Sequence, residues 1–192
     1  EFLLDMGRVD EAIDASTRTL EITHLTGNQR FRAYAMNQLA RGLMASGDAE
    51  KAVEILEEGI QISRQVGMSF VGPRLLGTLS ICSKKCDVRH AALEEGSKIL
   101  RSGCHAHNQL WFLRDAIESA LISDERELAM EYSDWLEKIT GKEPLPWSNY
   151  FIGRARAIVG HRHDPADQAH RSALSGLTNL AEKVGFAEHS MS

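Results

Sequence analysis

A small residue returns at nearly constant spacing along this chain, and that recurrence limits the folds open to it more than any other feature. GRVDEA, Gly7 to Ala12, comes back as GDAEKA, Gly47 to Ala52, and then more loosely as CDVRHAA, DERELA and DPADQA. With Ala12, Ala52, Ala91, Ala129 and Ala169 as marks, successive separations are 40, 39, 38 and 40 residues. Periods of this size belong to stacked structural units, each too small to bury its apolar face alone. A second series agrees. Each marked segment runs on to a glycine, namely Gly27, Gly67, Gly103, Gly141 and Gly185, and glycine is the usual residue just past a helix end. Between one stop and the next start lies another helical pattern, such as Phe31, Tyr34, Ala35, Gln38, Leu39 and Leu43. The unit is therefore a helix, a tight turn and a second helix.

These marks predict an all-α array of antiparallel helix pairs. About five units are expected, near 1–27, 28–67, 68–103, 104–141 and 142–192, forming a single domain over 1–192. No alternating strand pattern bounded by hairpin turns competes with this reading. The alanine lets the paired helices approach closely, to about 8–10 Å. Turn residues support the boundaries: Asp164-Pro165 reads as a cap followed by a first-turn proline, Asp124 with Glu127 as a capping box, and Gly72-Pro73 as a helix start. Pro144 and Pro146 predict an extended connection before the last pair. Glu1-Phe2-Leu3-Leu4 reads as the end of a helix, so the chain reads as a fragment of a longer protein.

With 22 basic and 27 acidic residues the net charge is −5, which argues against nucleic acid or an anionic membrane as partner. No apolar run reaches the ~18 residues of a membrane span. Three cysteines, an odd and sparse set, fit a reducing, cytoplasmic setting. Cys82 with Cys86, Cys104 with His105 and His107, and His161 with His163 are the candidate metal ligands. Cys86 and Cys104 fall at opposite ends of one helix, too far apart to share an ion, so these residues read as packing cysteines and solvated histidines. Glu54, Glu57, Glu58, Glu94 and Glu95 read as a solvated face rather than catalytic carboxylates. Gly67 and Gly72 lack the Lys-Ser or Lys-Thr of a phosphate loop. Neither catalysis, nor a cofactor, nor a metal is expected.

The second unit resembles a tetratricopeptide repeat: Leu39-Ala40 and Leu43 in the first helix, Gly47 at the turn, Ala52 and Leu56 in the second, and Gly59 at a small position. The closing stretch from Glu143 to Pro165 is similar to the end of the helical-repeat tail of bacterial class III adenylate or guanylate cyclases. The resemblance implies a right-handed superhelix and a non-catalytic binding module of a bacterial signalling protein, with a protein, a peptide or its own upstream domains as partner. In that family the first helices line a concave groove. Asn37, Arg41, Arg114 and Arg154 hold the equivalent positions and are the candidate contacts for an acidic peptide. Two alternatives remain at this point: an oligomerisation tail that forms a homodimer, and a small-molecule sensor.

Overall fold

The computed structural model describes residues 2–184 and 186; Glu1 and the expected stop at Gly185 lie outside them. Among the described residues there are ten α-helices and no strand. They are α1 (Phe2–Asp5), α2 (Val9–Leu25), α3 (Gln29–Ala45), α4 (Ala49–Val66), α5 (Gly72–Cys82), α6 (Cys86–Ser102), α7 (Ala106–Ile122), α8 (Arg126–Thr140), α9 (Pro146–His163) and α10 (Gln168–Val184). The chain forms two compact units, Glu1–Phe112 and Leu113–Ser192.

In the first unit, α3 packs on α2 and α4, and α5 on α4 and α6. Local chemistry starts and stops these helices. The Asn28 and Asp48 side chains accept from the Phe31 and Lys51 amides at 3.3 and 3.2 Å, capping α3 and α4. Gly7, Gly27 and Gly47 take the left-handed conformation that reverses the chain. The core is built from Ala33, Ala40, Ala52, Leu56, Ile60, Leu75, Leu76 and Leu79. Flanked by neighbours on several sides, α5 has no wet face: residues 71–80 are all buried, Arg74 and Thr78 included.

In the second unit, α9 packs on α8 and α10. Its core gathers Leu136, Tyr150, Phe151 and Phe186, with the Tyr150, Phe151 and Phe186 ring centroids 5.1–5.7 Å apart. Trp147 lies 4.9 Å from Phe151.

Several boundaries differ from those read off the sequence. Ala92 is buried while Ala91 is exposed, so the third mark is Ala92. Ala169 is exposed as well. In the last pair the small residue has moved to the first helix, where a Cβ on Gly160 would meet the His170 ring at 2.6 Å. Asp124 does not cap α8. It sits with φ 54° at the turn between α7 and α8, where Gly7 and Gly47 stand in earlier units, and its carboxylate accepts from Arg126 Nε at 3.1 Å. Asp164 and Pro165 form a turn ahead of α10, which begins at Gln168. Gly141 has right-handed φ of −60°, unlike Gly27, Gly67 and Gly103.

Candidate interaction surface

The polar residues of the first helices are the natural place to look for a binding face. In the first unit, Asn37 of α3 is 1% exposed, and its amide donates to the Arg74 carbonyl at 3.2 Å and to Thr78 Oγ1 at 2.9 Å, both on α5. Arg41, one turn on, is half-buried and lies 3.5 Å from the same hydroxyl. Arg74 is 4% exposed, with its guanidinium 5.0 Å from the Tyr34 ring centroid and 4.8 Å from that of Trp111. Flat guanidinium faces stack on aromatic rings, which is how a cation is held in a desolvated place. Asn108, on the next first helix, donates to the Ser69 and Phe70 carbonyls at 3.0 and 2.7 Å and ties down the loop before α5.

The second unit repeats the theme with charge pairs. Arg114 and Asp115 are 3% and 1% exposed and meet at 2.7 Å, and Arg114 lies 6.0 Å from the Trp147 ring. Arg154 of α9 donates from Nε to Glu118 of α7 at 2.9 Å. Arg162 donates to the Leu121 carbonyl at 2.7 Å. On the surface, Arg156 bonds Asp134 and Glu137 and holds the Glu137 carboxyl below the usual carboxylate range.

Of the four residues expected to contact a peptide, Asn37 and Arg114 thus present almost no surface, Arg154 is engaged with Glu118, and Arg41 keeps some exposure. The structure gathers Asn37 and Arg41 around Thr78. The sequence reading missed Arg74, Thr78 and Asn108. Arg74 and Thr78 carried a signal, as polar residues in the otherwise apolar stretch from Gly72 to Cys82; Asn108, between His107 and Gln109, carried none.

Open grooves in the first unit lie between second helices. One pair of adjoining cavities, about 310 and 340 Å³, runs between α4 and α6, and the two share Glu57 and Val88. Leu76, Leu79 and Cys82 of α5 form the floor, with Glu50 and Glu57 on one rim and Lys84 and Lys85 at one end. A third cavity, about 360 Å³, lies between α2 and α4 over Leu20, Met36 and Ile55.

The cysteines and histidines are also placed differently from expectation. Residues 83–85 are not helical, so Cys82 and Cys86 are on different helices. Cys86 instead faces His90, one turn along α6, at 3.7 Å. His105 and His107 stack at 5.9 Å beside Phe70. Burial, then the positive charges of Arg74 and His105, hold the His107 imidazole below its ordinary value. Folding therefore favours the neutral ring, and that contribution is lost as pH falls below about 6.5. His107→Gln should flatten the stability slope on the acid side of that value in denaturation curves taken at several pH values; an unchanged slope would show that His107 carries no such linkage.

No family model and no curated protein matches the chain. Among solved structures, it is similar to a crystal structure of the nearly identical TPR-like repeats of a chain assigned as a kinesin light chain from Podosopora anserina. Identity is 20% over 93% of this chain and 89% of that one, with a TM-score of 0.57. At that identity the likeness shows the fold alone, a tetratricopeptide-like helical-repeat architecture.

Proposed function

We propose that this chain is a non-catalytic scaffold that binds a protein or peptide segment, and that the segment lies in the grooves between second helices rather than against the first helices. The observation that supports this most is the contrast in the first unit. Asn37, Arg74 and Thr78 of α3 and α5 are buried and face one another, whereas the α4–α6 groove is open, apolar at its floor and charged at its rim. Folds of this kind act generally as interaction scaffolds, and an apolar groove with charged edges suits a short segment whose apolar side chains point one way. A regulatory setting in a bacterial signalling protein, with the chain's own upstream domains among the partners, rests on the resemblance of residues 143–165 to cyclase tails.

Peptides selected from a displayed random library against the whole chain should lose about tenfold or more in affinity, about 1.4 kcal/mol, when Val53 or Val88 is replaced by Glu. Arg41→Ala should leave them unchanged. Loss on Arg41→Ala alone would return the binding face to the first helices, and failure to select any peptide would defeat the scaffold reading.

A second reading is favoured by Ile22, Leu25 and Phe31, which are 60%, 84% and 53% exposed. These apolar side chains suit self-association. Light scattering should then show a dimer that Leu25→Glu converts to monomer; a monomer at all concentrations would exclude it.

A further inference from the structure

Three cysteines, none in a disulfide, occupy three environments in this fold. Cys82 is 5% exposed at the end of α5, its sulfur 3.4 Å from that of Met44. The Cys104 thiol donates to the His105 carbonyl at 3.6 Å, and burial pushes its pKa up. Cys86 is exposed and is the first residue of α6. One helical turn on, in the i,i+4 relation that puts two side chains on one face, His90 directs Nδ1 to within 3.7 Å of Cys86 Sγ.

That separation has a chemical meaning. Zinc binds thiolate sulfur at about 2.3 Å and imidazole nitrogen at about 2.0–2.1 Å, so at a tetrahedral angle of about 109° the two donors lie about 3.5 Å apart. Cys86 and His90 stand within a few tenths of an ångström of this spacing before any ion is present. Arg89 Nη2 also donates to Cys86 Sγ, at 3.5 Å, the kind of outer hydrogen bond that steadies a metal-bound thiolate.

We propose that Cys86 and His90 form a two-residue chelate for a zinc-class divalent cation on the first turn of α6. One thiolate and one imidazole select zinc or cobalt over magnesium and calcium, which take oxygen donors. On binding, the thiol proton passes to solvent, metal–sulfur and metal–nitrogen bonds form, and about four waters of the six-coordinate aqua ion leave as it becomes tetrahedral; no oxidation state changes. Two coordination positions remain for water. Because α6 is already built by its packing on α5, the cation is a ligand of the folded chain and not a condition for folding.

Adding Co²⁺ to the reduced, metal-free chain should produce a near-ultraviolet thiolate-to-cobalt absorbance that saturates at one equivalent. Cys86→Ser should abolish it, His90→Gln should raise the apparent dissociation constant at least tenfold, and Cys104→Ser should change neither. Zn²⁺ should displace the cobalt and Mg²⁺ should not. Circular dichroism of each variant, unchanged in helicity, separates loss of ligand from loss of fold. The proposal is overturned by three outcomes: no absorbance, absorbance that survives Cys86→Ser, or cobalt affinity unaltered within twofold by His90→Gln, which would mean that the imidazole does not bind.

Discussion

Asp115→Ala is expected to destabilise the chain by about 3–5 kcal/mol, the usual cost of breaking a buried ion pair by removing one member. Asp115 is 1% exposed and Arg114 3%, with 2.7 Å between carboxylate and guanidinium. Without the carboxylate, a permanently charged group would remain in the interior, where solvation by water is denied to it. The pair itself is a different matter. Replacing Arg114 by Met and Asp115 by Leu together should cost far less than Asp115→Ala, because the desolvation penalty of both ions goes with them. Urea denaturation of the parent and both variants distinguishes the cases through the midpoint at constant slope. A loss below about 1 kcal/mol for Asp115→Ala would show that Arg114 is adequately solvated and that the pair does not organise the second unit.

The second large effect is steric. A Cβ added to Gly96 would lie 2.1, 2.7 and 2.9 Å from three atoms of the Phe112 ring, and Phe112 is fully buried. Gly96→Ala gains about 1 kcal/mol of helix propensity, while overpacking of a closed core costs typically about 1–3 kcal/mol and rises where the neighbour has nowhere to move. At 2.1 Å the second effect wins. The expected net loss is about 2 kcal/mol, partly recovered when Phe112→Leu is added. Gly42→Ala is the contrast. Its Cβ would meet Ile13 Cγ1 at 2.7 Å, close to the backbone of a stiff β-branched side chain, but Ile13 is only half-buried, so the net loss should be smaller than at Gly96. Equal thermal midpoints for Gly96→Ala and the parent would mean that the Phe112 ring swings aside.

Much of this architecture is legible in the residues. Ala12, Ala52 and Ala129 are buried in their second helices as their spacing requires, and Gly27, Gly67 and Gly103 end helices in left-handed or related conformations. Shifts of one or two residues escaped the reading where neighbouring residues offer the same chemistry. Ala91 and Ala92 are both small, and only the facing helix decides which is covered. Asp124 carries a capping side chain but tolerates positive φ, and the turn uses the second property. Spacing does not single out His90 as the partner of Cys86, because Cys82 stands at the same four-residue spacing on the other side and the break at residues 83–85 is not visible in spacing alone.

The face of the first helices is the larger divergence. Taken as one hairpin, a unit leaves Asn37 or Arg114 on an open side, and polar residues there read as contacts for a partner. Stacking closes that side: Thr78 and the Arg74 carbonyl reach Asn37, and Trp147 approaches Arg114, which is paired along its own helix with Asp115. Sequence alone determined that the chain is all helix, in pairs, with a period near 40 residues, because helix periodicity, turn chemistry and small-residue spacing are local properties. The tertiary structure decided which polar groups are consumed inside and which grooves stay open, because burial depends on what neighbouring pairs bring to each face.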